Sequence, residues 1–135
     1  MKRIHFAIGL LVLAYLSLSA QTADLRANVP FDFQLRGMPM SAGEYLIHYS
    51  NGILVVREQN GRHSAQILLT TPISRPDKPA TGVLRFNKYG ETYFLASIWT
   101  PNSRDGRAFP KSSREKELAR HFQQNSTADV SLGSK

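Results

Sequence analysis

The 135-residue sequence contains no cysteine. This absence excludes disulfide bonds, zinc sites built on thiolates and cysteine nucleophiles. Small exported domains often use disulfides to supplement a thin hydrophobic core. Because this chain has none, we expect its stability to come from the packing of its secondary structure alone.

Long hydrophobic runs are also scarce, and the one that stands out, residues 6–18, lies near the N-terminus behind Lys2 and Arg3. As a helix it would cover about 20 Å, less than the roughly 30 Å of a bilayer core. Small residues, Ser19 and Ala20, follow it at once. This pattern is typical of a cleavable secretory signal. We therefore predict a signal peptide over residues 1–20, export to the periplasm or extracellular space, and no transmembrane span in the mature chain. An uncleaved anchor is the alternative.

Charge of either sign is limited. The chain is 41% apolar and 20% charged, with a net charge of +7, which is an ordinary globular composition. Loss of the signal would leave 15 basic and 10 acidic residues. Such a modest excess favours a role in solubility over a dedicated anionic partner, and we expect no nucleic-acid binding.

Alternating apolar and polar residues broken by Asn-Gly pairs dominate the mature chain. Turns at 51–52 and 60–61 predict a three-stranded meander over residues 44–50, 53–58 and 63–71. Both turns independently place the same apolar residues on one face. The predicted pairs are Tyr49 with Leu54, Ile47 with Val56, Val56 with Ala65, and Leu54 with Ile67.

Two further strand regions flank this meander. Residues 29–35 alternate as one strand, with Pro30 at a sheet edge or strand start. A second hairpin is predicted over 83–88 and 92–99 around a turn at Tyr89-Gly90. That turn would set Phe86 opposite Tyr93 and Leu84 opposite Leu95.

The C-terminal region changes character. Ser112 and Glu115 have the spacing of a capping box and predict a helix over residues 112–124. We expect its Leu118 and Phe122 to pack on the sheet near Trp99. Residues 125–135 are predicted to be a flexible tail. The fold class is therefore all-β, a small antiparallel sandwich or open barrel of six to seven strands with a short C-terminal helix, in a single domain over residues 24–124.

Residues 28–33 (NVPFDF) and 42–45 (AGEY) resemble a family of short secreted bacterial β-rich proteins with a VPFDF…AGEY pattern and no known activity. The similarity extends over nearly the whole mature chain. Ser41 departs from it, because such proteins usually carry proline before Ala-Gly. The resemblance implies export and a β fold, and nothing about chemistry.

No catalytic or metal constellation is evident. The registers place His48 and His63 on opposite faces, and His121 lies on the predicted helix, so we expect no shared metal site and no cofactor. No serine lies in a Gly-x-Ser-x-Gly elbow.

One segment has the composition of a binding surface. Trp99 is followed by a basic loop with Arg104, Arg107 and Lys111, a combination that binds sugars or anionic glycans. These four are the candidate binding residues, with an anionic glycan or envelope component as the partner. The alternative is that Trp99 packs under the helix while the charges are solvated.

We therefore interpret the chain as an exported, non-enzymatic binding or structural module. One alternative is a carrier of a small apolar ligand inside the barrel. Another is a hydrolase whose site is not evident from residue spacing. A pocket lined by Tyr45, Tyr49, Phe86 and Tyr93 would favour the carrier, and converging carboxylates the enzyme.

The signal sequence leads to a prediction about processing. The mature protein should begin between Ala20 and Asp24, because the apolar run is too short to span a bilayer and polar residues follow it. N-terminal sequencing of exported material measures this. Recovery of chains that still begin at Met1 would contradict it.

Overall fold

The computed structural model of the chain describes residues 24–50, 53–61, 64–67 and 70–134, with side chains throughout except at 50, 64–67 and 134. The predicted signal, residues 1–20, lies outside the described residues, as does His63. Within the described ranges no helix has the length and apolar character needed to cross a bilayer.

The described chain forms eleven strands and one helix. The elements are β1 (Leu25–Val29), β2 (Phe33–Leu35), β3 (Met38–Met40), β4 (Gly43–Ser50), β5 (Ile53–Glu58), β6 (Ser64–Ile67), β7 (Thr71–Ser74), β8 (Gly82–Tyr89), β9 (Thr92–Trp99), β10 (Asp105–Ala108), α1 (Ser113–His121) and β11 (Ser126–Ser134).

These strands belong to one sheet. Its main path runs β3-β2-β9-β8-β11-β1-β4-β5-β6, while β10 pairs with β9 and β7 pairs with β10. The sheet is curled into an open half-barrel. Arg107 on β10 donates a hydrogen bond of 2.6 Å to the Tyr49 hydroxyl on β4, although four strands separate β10 from β4 along the sheet. In a flat sheet with strands about 4.8 Å apart, those two strands would lie about 24 Å apart.

The mostly β class and the open-barrel alternative are confirmed. The predicted sandwich is wrong, because all described strands belong to one sheet. The predicted number of six to seven strands is too low. The alternation over residues 29–35 belongs to two strands, since Pro30 ends β1 and β2 begins at Phe33. The short strands β3 and β7 contain Pro39 and Pro72, which are compatible with strands at a sheet edge.

The registers predicted for the meander are confirmed. Tyr49 pairs with Leu54 across β4 and β5, and Val56 pairs with Ala65 across β5 and β6. The alternation buries Leu54 and Val56 and leaves Arg57 exposed. Two local turn signals thus determined the pairing and the inward face of this part of the sheet.

The register predicted for the second hairpin is wrong. Tyr89 pairs with Thr92, so Gly90 and Glu91 form the turn, and Phe86 faces Leu95 instead of Tyr93. Gly90 has φ +60°, as the first central position of a type II′ turn requires. A bulge between Arg85 and Phe86 then shifts the register again, so that Leu84 faces Ile98.

The prediction of a flexible tail over residues 125–135 is also wrong. Residues 126–134 form β11, which pairs with β8 on one side and with β1 on the other. Leu132 is buried in the core, and the partly buried Ala128 and Val130 pack against the core cluster. The β domain therefore extends past the predicted boundary at residue 124.

The helix begins as predicted. The hydroxyl of Ser112, the N-cap residue, accepts a hydrogen bond of 3.2 Å from the backbone N–H of Glu115. The Glu115 carboxylate is buried and accepts hydrogen bonds from the Asn87 amide at 2.9 Å and the Tyr89 hydroxyl at 3.2 Å. Burial raises the pKa of Tyr89, and the charge of Glu115 raises it further. A buried carboxylate therefore attaches the helix to β8.

The predicted packing of the helix near Trp99 is wrong. Phe122 caps the helix, is 41% exposed, and has its ring beside Gly90 at the β8–β9 turn. Trp99 pairs with Val83, at the opposite end of the same hairpin. Leu118, in the last turn of α1, is only partly buried. The helix thus covers the turn end of the hairpin, and other residues cover Trp99.

The position of β11 predicts that the C-terminal residues are essential for folding. Deleting residues 125–135 should abolish cooperative thermal unfolding, measured by circular dichroism, because β8 and β1 lose their shared neighbour. Within the strand, Leu132→Asp should cost about 3 kcal/mol or more, since it buries a charge. Ser131→Asp is the matched control, because Ser131 is exposed and should tolerate the charge. A truncated chain that melts like the full one would contradict this.

Candidate functional site

The concave face of the half-barrel is filled at one end by aromatic rings. Phe31 stacks on Tyr93 with centroids 3.8 Å apart and meets Phe86 edge-on at 5.0 Å. Phe33 contacts Tyr45 and Phe86 edge-on, at 5.3 and 5.2 Å. Tyr45 and Phe86 are fully buried. This half of the interior is a packed aromatic core.

The other end of the concave face holds a cavity of about 740 Å³. Strand alternation turns the apolar side chains of β1, β4, β5 and β9 towards it, and the half-buried Ile73 of edge strand β7 lines one side. The apolar residues around it are Leu25, Ile47, Leu54, Pro72, Ile73, Ile98 and Pro101. Of these, Pro72, Ile73 and Pro101 are at least partly exposed, whereas the other four are buried beneath the surface of the wall. A cavity of this size and character accommodates a small molecule.

Polar groups are concentrated on the side of the cavity formed by β10 and the end of β4. The guanidinium of Arg107 hydrogen-bonds to the Tyr49 hydroxyl and lies over its ring, 5.2 Å from the centroid. Asp105, two residues before Arg107 on the same strand, also lines the cavity, as do Ser103 and Thr100. Among the described residues no carboxylate forms an ion pair with Arg107. One cationic group therefore stands beside an apolar cavity.

The structure separates the four candidate binding residues. Arg107 lines the cavity, whereas the side chain of Arg104 is exposed and is not part of the lining. Lys111 lies close enough to Tyr89 for its charge to oppose the rise in the Tyr89 pKa. Tyr89 is at the turn end of the β8–β9 hairpin, far along the strands from Trp99. The predicted four-residue surface is therefore absent from the described structure.

Trp99 is buried on the opposite face of β9 from Ile98. The Arg75 guanidinium lies over its ring, 4.8 Å from the centroid. On β10, a side chain at Gly106 would come within 2.6 Å of the indole, so only glycine permits this packing. With 8% of its surface exposed, Trp99 offers no ring face on which a sugar could stack. The alternative, that Trp99 packs, is thus supported, although Arg75 and Gly106 cover it instead of the helix.

Of the four residues predicted to line a carrier pocket, only Tyr49 does so. Tyr45, Phe86 and Tyr93 belong to the aromatic end of the interior. The residues that sequence reasoning missed are Leu25, Ile73 and Ile98. Alternation on β9 could have assigned Ile98 to the inner face. Nothing local indicated that Ile73, in a proline-rich segment, would line the cavity.

A second concavity, a cleft of about 380 Å³, lies outside the aromatic end and is lined partly by Asp32 and Glu91. The Asp32 carboxylate accepts a hydrogen bond of 2.8 Å from the backbone N–H of Ala42, which holds the turn before β4. Glu91 is exposed in the β8–β9 turn. Asp32 thus has a structural task, and nothing in this cleft orients a pair of carboxylates for hydrolysis.

Histidines supply no metal site in the described part of the chain. His48 bonds through Nδ1 to the Asp24 carboxylate at 2.6 Å, and His121 is exposed at the end of α1. No group of three or more potential ligands lies together among the described residues.

Comparisons with protein-family models, with curated proteins and with solved structures find no match to this chain. The cavity and its lining are therefore the features of the chain that indicate a function.

The buried Tyr45 predicts a loss of stability at high pH. Burial raises its pKa to about 12, and the charges of Glu58 and Asp32 contribute. Because the folded pKa lies above the ordinary value of 10, the unfolded chain releases this proton first. Stability that is present below pH 10 is therefore lost as the pH rises towards 12.

Denaturant unfolding between about pH 9 and 12 measures this effect. Tyr45→Phe should lower stability at every pH, because the hydrogen bond to the Ser41 carbonyl is lost. Its stability should also fall less steeply with pH than that of the unaltered chain. Parallel curves for the two proteins would contradict the prediction.

Proposed function

We propose that the chain is an exported, non-enzymatic binding protein that takes up a small apolar ligand in the half-barrel cavity. The observation that carries the proposal is the contrast between the two ends of one interior. Aromatic rings pack tightly at one end, whereas an apolar cavity of about 740 Å³ remains at the other. An apolar concavity of this size that opens to solvent is typical of a ligand-binding site.

The lining of the cavity favours an apolar ligand over a sugar or peptide. Its walls offer aliphatic side chains, and polar groups occur mainly near Tyr49 and β10. Water in such a cavity finds few hydrogen-bond partners, so its replacement by an apolar molecule is favourable. Each methylene transferred from water contributes about 0.8 kcal/mol, which corresponds to roughly fourfold tighter binding.

The other candidate functions have weaker support. An anionic-glycan partner was expected at Trp99, Arg104, Arg107 and Lys111, which do not form one surface. A hydrolase would need two oriented carboxylates, and Asp32 in the polar cleft is engaged with a backbone amide. Export is part of the proposal through the signal-like pattern of residues 1–20.

The proposal predicts saturable binding of a neutral apolar probe. The mature chain, titrated with N-phenyl-1-naphthylamine, should show enhanced probe fluorescence with one site per chain. Ile73→Trp should weaken binding at least about tenfold, because the larger ring occupies the cavity from the edge strand β7.

The matched control is Ile53→Trp. Ile53 is exposed and precedes Leu54 on β5, so its side chain lies on the face away from the cavity. This variant should bind the probe like the unaltered chain, and both variants should melt cooperatively. Absence of saturable binding by the unaltered chain, or equal effects of the two tryptophans, would overturn the proposal.

A further inference from the structure

The polar end of the cavity restricts the class of ligand. Arg107 is half-buried on β10, and its Nη2 donates to the Tyr49 hydroxyl at 2.6 Å. That hydrogen bond and the contact with the tyrosine ring hold the guanidinium in place beside the cavity. The hydroxyl occupies one of the five guanidinium N–H groups, so donors remain for a second acceptor.

The charge of Arg107 is not neutralised by a neighbouring carboxylate ion pair within the described part of the chain. Arg85, by comparison, forms a bidentate pair with Asp129 at 2.9 and 3.0 Å on the outer face. A guanidinium that is held by a tyrosine instead of a carboxylate, next to an apolar cavity, is suited to bind an anionic group on a ligand.

The negative charge of Asp105 favours a singly charged anion over a dianion as the partner of Arg107. It lies two residues from Arg107 on the same strand, so both side chains are on one face, and both line the cavity. A dianionic phosphate would meet one cation and one carboxylate, whereas a singly charged carboxylate is repelled less by Asp105.

We infer that the ligand is a single-chain amphiphile whose carboxylate binds Arg107 and whose hydrocarbon chain lies against Pro72, Ile73 and Pro101. This inference rests on the proposed function and adds the charge of the ligand to it. Arg107 contacts the ligand, and Tyr49 is a positioning residue that orients the guanidinium. A medium-length fatty acid has the required chemistry.

The experiment compares decanoate, methyl decanoate and decyl phosphate as competitors of the neutral probe on the mature chain at neutral pH. Decanoate should bind roughly tenfold more tightly than its methyl ester, as expected for a charge-assisted hydrogen bond at a partly exposed site. Decyl phosphate should bind less tightly than decanoate. The preference for the acid over the ester should diminish with added salt, because Arg107 is partly exposed.

Variants test which residue produces the preference. Arg107→Gln should lose the preference for the acid over the ester, and Arg107→Lys should restore part of that preference. Tyr49→Phe should reduce the preference without abolishing it. Arg57→Gln, which removes the same charge from the outer face of β5, should keep it in full. Thermal unfolding confirms that each variant is folded.

The outcomes separate the two proposals. If the unaltered chain binds the acid and the ester equally, or if Arg107→Gln keeps the preference, the inference about charge is wrong and the apolar site stands. If decyl phosphate binds more tightly than decanoate, the assignment of a carboxylate is wrong. If neither the probe nor any amphiphile binds, both proposals fail.

Discussion

The antiparallel pairing of β11 with both β8 and β1 is the interaction on which the whole sheet depends. On one side of β11 lie β8, β9 and the short strands attached to them; on the other lie β1, β4, β5 and β6. These two groups share no other strand on the path of the sheet. The last strand of the chain therefore joins them, and the curvature of the complete sheet requires it.

The curl of the joined sheet brings its distant strands together and creates the site. Tyr49 belongs to one group of strands and Arg107 to the other, yet their side chains form a hydrogen bond. Leu54 and Ile73, which line the cavity, likewise come from the two different groups. The cavity is thus a property of the assembled half-barrel, and neither group of strands contains it alone.

Two separate sets of contacts cover the outer face of the sheet, one at each end of the β8–β9 hairpin. At the turn end, the buried Glu115 attaches the helix to Asn87 and Tyr89. At the other end, Trp99 is enclosed between Arg75 and the bare backbone of Gly106. The basic residues that suggested a binding surface in the sequence are thereby divided between two ends of the hairpin, and only Arg107 reaches the inner side.

Features that depend on neighbouring residues were determined by the sequence alone. The Asn-Gly turns and the alternation around Leu54 and Val56 determined the meander registers, and the spacing of Ser112 and Glu115 determined the start of the helix. Local signals did not determine the register of the second hairpin. The single Gly90 is compatible with a turn at Tyr89-Gly90 and with one at Gly90-Glu91, and a bulge further along then shifts the pairing of β8 with β9. The tertiary structure alone decided that residues 126–134 pair between β8 and β1, although Ala128, Val130 and Leu132 alternate. It also decided that Arg107 meets Tyr49. Such pairings join segments far apart in the chain, and the free energy of a strand's hydrogen bonds depends on which edges the rest of the fold presents to it.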